Sequence, residues 1–233
     1  MKSATARGLL GKALRREGDF VLHDFLLNDG SHAVAWVASS ERLAHEALLR
    51  VLELRSLHHT RLAVPTVSER QPDGTRMRVD LPVAGQPLTE LNGLSRNIVI
   101  QLVRCVLDQL RPLHAARMVH GNLQSSTVLR TPNGVVLTDP APVLRANHGP
   151  EGLPERVEGQ LPNASADIWG LGRILKDLAG PLQRRDPLRA LVGDMTEWMP
   201  EERETDLDRL DRRLDDAKTW TPSAGLLSRF LLA

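Results

Sequence analysis

Apolar positions follow two regimes along the chain. Up to about residue 83, short apolar stretches are separated by compact polar turns. Beyond that point apolar residues recur with helical spacing. Phe20 to Leu27 and His32 to about Val37 read as strands flanking Asn28-Asp29-Gly30, a tight-hairpin signal because the turn needs positive φ. Leu43, Ala47, Leu48, Val51 and Leu54 then share one side of a helix from Glu41 to about Leu57, with Ser39 or Ser40 placed to cap it. Ala63–Arg70 and Thr75–Val83 read as strands around Pro72-Asp73-Gly74, and Ala84-Gly85-Gln86-Pro87 reads as a linker. Helices are predicted from Ser95 to about Ala116, Ala164 to about Ala179, Pro187 to Trp198 and Glu202 to Ala217. Between the first two lie a loop at His120–Thr127, a hairpin across Pro132-Asn133-Gly134 and a Pro/Gly-rich stretch from Pro140 to Pro162. Upstream, residues 3–17 place Leu9, Leu10 and Leu14 on one side of a short basic helix. The alternating charges of Glu202–Ala217 read as a solvated face.

Composition narrows the function classes. The 233 residues suffice for two small lobes, and 41% apolar with 25% charged residues is the balance of a folded chain rather than a disordered one. A net charge of +1 gives no global reason to expect nucleic acid as a partner. The single cysteine, Cys105, falls in an apolar helical pattern and reads as a buried small hydrophobe; it excludes an internal disulfide and a multi-cysteine metal site. Tyrosine is absent, so tyrosine phosphorylation has no target. No apolar run approaches the roughly 20 residues that span a bilayer. The N-terminus carries Lys2, Arg7, Lys12, Arg15 and Arg16 without the apolar stretch of a secretory signal, so the cytoplasm is the expected location.

Five motifs then occur in order. Met118-Val119-His120-Gly121-Asn122-Leu123-Gln124-Ser125-Ser126-Thr127-Val128-Leu129 resembles the catalytic loop of eukaryotic-like protein kinases. Val135-Val136-Leu137-Thr138-Asp139-Pro140-Ala141 resembles the strand that leads into the metal-binding Asp-Phe-Gly motif. Gly152-Leu153-Pro154-Glu155 resembles the Ala-Pro-Glu motif that closes the activation segment. Ala166-Asp167-Ile168-Trp169-Gly170-Leu171-Gly172 is similar to the buried helix whose aspartate braces the catalytic loop, and Pro200-Glu201-Glu202-Arg203 to the Pro-x-x-Arg that pairs with the Ala-Pro-Glu glutamate. With the preceding strands the resemblance covers about Ala63 to Leu210. It implies an α+β, bilobal, protein-kinase-like fold. The expected parts are a basic N-terminal helix or extension (1–18), a reduced β-rich N-lobe (19–86), a mainly helical, shortened C-lobe (87–220) and a tail (221–233). It further implies a buried Glu155–Arg203 ion pair, Asp167 accepting from amides around His120, and Leu129 as the floor under an adenine ring or simply as core.

Against the same family the chemistry is depleted. Phosphoryl transfer needs a glycine-rich loop, a strand lysine paired with a helix glutamate, a catalytic aspartate and two metal ligands. The first hairpin, Leu27–His32, where the glycine loop would fall, has one glycine and an acidic residue and reads as a plain hairpin turn. The strand has no lysine, and Trp36 or Val37 takes its place. Glu46 fits the helix glutamate, or is a surface residue of an amphipathic helix. Asn122 stands where the aspartate belongs, Gln124 where the loop lysine belongs, and Thr127 replaces the metal-binding asparagine. Asp139 alone survives among the metal ligands, as a weak magnesium site or a local hydrogen-bond acceptor. His120-Gly121-Asn122 with Asp139-Pro140 also resembles the pseudokinase domains of Janus kinases.

The expected function is therefore a catalytically inactive pseudokinase acting as a scaffold or regulator through a protein partner. Weak or no binding of ATP and magnesium, and no other cofactor, is expected. Pro140–Glu155 contains no Ser, Thr or Tyr, so phosphorylation within it cannot act as a switch, and the helix that protein kinases use to dock substrates is expected to be reduced or missing. The alternatives are an active small-molecule or lipopolysaccharide-core sugar kinase, and a membrane-peripheral adaptor anchored by the basic N-terminus and Leu226–Leu232.

Overall fold

The computed structural model describes residues 5–57, 61–71, 74, 76–145 and 149–220. The turn expected at 72–73 and the tail 221–233, with its apolar anchor, lie outside the described residues.

In the N-terminal half β1 (Thr5–Ala6), β2 (Gly8–Glu17), β3 (Phe20–Leu27) and β4 (His32–Ala38) are followed by α1 (Glu41–Arg55), then by β5 (Thr66–Ser68) and β6 (Arg78–Asp80). The six strands form one sheet in the order β1-β5-β6-β4-β3-β2. The helix expected over 3–17 is absent: Gly8–Glu17 pairs antiparallel with β3 from Gly8 opposite Leu27 to Glu17 opposite Phe20. Leu9, Leu10 and Leu14 remain exposed in this strand, so apolar burial is not what fixes its conformation. As a strand the segment instead satisfies its backbone against the free edge of β3, and this outweighs local propensity. Two register irregularities, at Leu10/Ala13 and Ala13/Arg15, break the alternation that would have betrayed a strand.

This has a consequence for the site. The hairpin over the cleft is not Leu27–His32 but Glu17–Phe20, turning through Gly18 at φ +55°. The linker also differs, because Gln86–Pro87 forms β7 and pairs with β8 (Val128–Thr131). β8 in turn pairs with β9 (Gly134–Leu137).

α1 begins as its sequence dictates, with Ser40 Oγ accepting from the Leu43 amide at 3.3 Å. Leu43 and Ala47 pack with Phe20, Leu22 and Trp36 on the sheet face toward the helical half. That half is built on α2 (Arg96–Ala115), α4 (Ala164–Ala179), α5 (Pro187–Met195) and α6 (Leu207–Ala217), with a single turn, α3 (Pro154–Val157), between β9 and α4. Val103, Leu107 and Leu110 of α2 meet Ile168, Leu171 and Leu175 of α4 in one apolar core. α5 stops before Trp198, and the chain between α4 and Arg203 forms no other α-helix. α6 is only partly the solvated face expected: Leu210, Leu214 and Ala217 are buried, and Asp211 and Asp208 pair with Arg104 and Arg111 of α2. Cys105 is half-buried, and desolvation raises its thiol pKa. Among the described residues, no helix is long and apolar enough to cross a membrane.

Candidate functional site

Between the sheet and the helical half lies a cavity of about 710 Å³. Leu14, Leu22, Val34 and Trp36 line it on one side, and Leu129, Thr138 and Asp139 on the other. A polar cavity of about 560 Å³ adjoins it beneath the Glu17–Phe20 hairpin and reaches Asn122, Gln124 and Thr127. The structure thus brings Trp36, Asn122, Gln124, Thr127, Leu129 and Asp139 to one cleft.

On β4, Trp36 sits opposite Arg78 of β6. Its indole Nε1 donates to Asp80 Oδ2 at 2.5 Å, and the Phe20 ring meets it edge-on with centroids 5.7 Å apart. The Arg78 guanidinium lies 4.9 Å over the Trp36 ring and donates to both Asp80 oxygens, at 2.9 and 3.1 Å. Its Nη2 stands 3.6 Å from Asp139 Oδ1, beyond hydrogen-bond distance. The β4 wall of the cleft therefore carries an indole, with a cation held behind it on the neighbouring strand. Arg78 is only 1% exposed, sealed behind the cavity wall. Arg78 and Asp80 were not among the residues singled out from sequence. The signal was present, since in 76–81 Arg76, Arg78 and Asp80 alternate with Met77, Val79 and Leu81, a charged face on a strand that proves internal.

Asp139 adopts φ +53°, the left-handed region unusual for a non-glycine residue. Burial pushes its carboxyl up to about 7. The charge on Asp80 adds to this and Arg78 opposes it. Among the described residues neither Asp139 Oδ1 nor Arg78 Nη1 has a hydrogen-bond partner.

Asn122 Nδ2 donates to the Asp139 carbonyl at 3.1 Å, and its Oδ1 accepts from Gln124 Nε2 at 3.2 Å. Thr127 Oγ1 donates to the Asn122 carbonyl at 2.8 Å and accepts from the Gln124 amide at 3.1 Å. The three substituted loop positions thus bond to one another and to the backbone.

Beneath them the loop is braced. Asp167 accepts from the His120 and Gly121 amides, each at 2.8 Å, and lies 3.0 Å from His114 Nε2. The His120 ring is buried; its Nδ1 accepts from the Asn122 amide at 3.3 Å, which leaves Nε2–H to donate to the Thr138 carbonyl at 3.0 Å. Burial drives its pKa down to about 4, so the ring is neutral, while Asp167 pulls in the opposite direction. A Cβ on Gly170 would collide with the Leu123 carbonyl, so α4 and the loop fit closely only with glycine there. Glu155 and Arg203 form a bidentate, buried pair at 2.6 and 2.9 Å.

Glu46 is not joined to Trp36. It accepts from Arg145 at 2.6 Å, and this bond is the main reason its carboxyl pKa lies below the usual range. One turn further along α1, Arg50 reaches across to donate to the Val119 carbonyl just ahead of His120. Its place on the buried stripe of Leu43, Ala47, Val51 and Leu54 was the sequence signal for an inter-lobe contact.

No model of a known protein family matches the sequence, and no curated protein does either. Among solved structures, the crystal structure of a point mutant of the Mycobacterium tuberculosis PknI kinase domain is similar, with a TM-score of 0.63 at 15% sequence identity. The match covers 94% of this chain and 98% of that one. At that identity the likeness speaks for architecture alone, and with the sheet, cleft and braced loop described above it establishes that this chain has the protein-kinase fold.

Proposed function

We propose that the chain is a catalytically inactive pseudokinase that acts by binding a protein partner. The observation that carries this reading is Asn122, the residue aligned with the catalytic base. It is an amide whose Nδ2 is already committed to the Asp139 carbonyl at 3.1 Å. An amide has no useful basicity, and general-base assistance is worth about 10²–10⁴ in rate.

The remaining groups support the same conclusion. Arg78 is turned toward Asp80 behind the cleft wall rather than into the cavity. The donor set does not fit magnesium. Asp139 is the one carboxylate among the four loop and strand-end positions, Asn122 Oδ1 is already taken by Gln124 Nε2 at 3.2 Å, and the Thr127 hydroxyl is engaged by backbone.

Thermal-shift titration with ATP and ADP, with and without Mg²⁺, tests this on wild type and Asp139→Ala. The expected result is no magnesium-dependent stabilisation in either. Magnesium-dependent ATP stabilisation lost in Asp139→Ala, together with phosphate transfer to a sugar or a protein, would replace this reading by that of an active atypical kinase.

A further inference from the structure

A groove of about 590 Å³ lies on the helical half, between α4, α5 and the chain around Gly152 and Pro154, with no cleft residue in its walls. Trp169 and Trp198 line it with Val192, and Arg173, Lys176 and Arg189 add three cations; no carboxylate lines it. Among the described residues none of these cations has an ion-pair partner. On the neighbouring α2–α6 face, by contrast, Arg104 and Arg111 are each paired with aspartates. The Arg173 guanidinium is held 5.3 Å over the Trp169 ring. Trp198 is 50% exposed, its Nε1 donating to Glu158 and its carbonyl accepting from Arg203 at 3.0 Å. α5 is the only α-helix between α4 and Arg203, and it and the loops on either side of it supply part of the groove wall.

We infer that this groove docks an acidic segment of a protein partner, an apolar side chain entering between Trp169 and Trp198 and carboxylates meeting Arg173, Lys176 and Arg189. The inference rests on the reading of the chain as a partner-binding protein and names the surface and the chemistry. Charge complementarity selects this occupant. The chain's own residues 221–233 bring leucines and Phe230, but their only charged side chain is Arg229, which the three cations repel. A nucleic-acid strand would carry its phosphates past the exposed Glu197, Glu201 and Glu202 beside Trp198. A short peptide can keep its acids at the cationic end.

Gly193 supplies a variant that blocks the groove without threatening the fold. It lies inside α5 and lines the groove, and a Cβ built on it meets nothing within 4 Å. Gly193→Leu therefore fills open space and replaces a poor helix former by a good one. Short random peptides displayed on phage are selected on the full chain, and the enriched peptides are then synthesised and titrated by fluorescence anisotropy.

The expected consensus is an aromatic or large aliphatic residue flanked by Asp and Glu. Its affinity should fall roughly tenfold or more in Gly193→Leu and in Lys176→Glu/Arg189→Glu, and should weaken with salt, while both variants melt no lower than wild type. No enrichment, a consensus without acids or resembling Leu226–Leu232, or binding indifferent to both variants would overturn it. Magnesium-nucleotide thermal shifts report on the cleft alone. Phosphoryl transfer with intact peptide binding would thus sink the pseudokinase reading and leave the groove standing, and the reverse result would do the opposite.

Discussion

Two glutamate–arginine pairs clasp the stretch that follows Asp139, and both close to 2.6 Å. Glu155–Arg203 is sealed, with both side chains at most 1% exposed. Glu46–Arg145 joins α1 to the segment at the surface, with its side chains 38% and 29% exposed. Distance alone would make them equivalent. Burial separates them, because a charge left unpaired in a low-dielectric interior has no water to fall back on, whereas one at the surface has. The kinase-like features kept in this chain are of the first kind: the sealed pair, Asp167 under the loop, and the buried His120. On the pseudokinase reading proposed above, the features lost are those whose work would face the cavity. Folding constrains the former whether or not any chemistry takes place above them.

The sharpest way to break this comparison is at the sealed pair. Arg203→Met should cost about 3–5 kcal/mol in urea denaturation by stranding Glu155. Adding Glu155→Gln to it should recover part of the loss, since no charge then remains buried. If Arg203→Met moved the midpoint no more than a surface substitution, the argument from burial would fail. Asp167→Asn comes next. It keeps the shape but puts an NH₂ against either the His120 or the Gly121 amide, which both donate at 2.8 Å. A loss of about 1–3 kcal/mol is expected, with faster hydrogen exchange at those two amides.

Acid–base behaviour sharpens the contrast between the braced layer and the cleft layer, because their buried groups work in opposite directions. His120 has its pKa depressed from 6.5 to about 4, so the folded state holds fewer protons than the unfolded one between those values, and stability is lost as pH falls through them. Asp139 has its pKa raised from 3.8 to about 7, so the folded state holds more protons across that range, and stability is lost as pH rises through it. From about pH 4 to 6.5 the two slopes oppose each other, and wild type should show a nearly flat contribution from this pair. Asp139→Asn should expose the histidine slope, with stability rising by up to ~1.4 kcal/mol per pH unit in that window. An unchanged profile in Asp139→Asn would show that the carboxyl is ionised and hydrated there, not held neutral by burial.

Much of this layout was legible in the sequence, and the rest was not for identifiable reasons. Spacing located α1, α2 and α4 closely, because each carries a buried apolar stripe long enough to register. The motif order located the residues of the loop, and the structure brings Asn122, Gln124, Thr127 and Asp139 to one place. β2 escaped because its leucines are exposed and its alternation is interrupted; what makes it a strand is the edge of β3, which no local pattern records. Misreading it moved the place where a glycine loop would fall by one hairpin, to Leu27–His32. Arg50 and Arg78 were hard to read because a single arginine on an apolar face does not by itself show whether it is buried or solvated. Yet Arg50 ties α1 to the loop, and Arg78 holds Trp36 and Asp80 together.

The smallest expected effect belongs to the exposed pair, and it tests whether burial is the right variable. A double-mutant cycle on Glu46→Gln and Arg145→Gln should return a coupling well below that of the sealed pair, since exposed ion pairs gain little over their hydrated, freely rotating states. Salt makes the test stricter. At about 1 M ionic strength the Debye length is roughly 3 Å, comparable with the contact itself, so the Glu46–Arg145 coupling should vanish. The Glu155–Arg203 coupling should hardly move, because ions cannot reach it. A Glu46–Arg145 coupling that survived high salt would place that pair out of solvent's reach. α1 would then be locked to the segment as firmly as Glu155 is locked to the helical half, and the division between a sealed clasp and an exposed one would not hold.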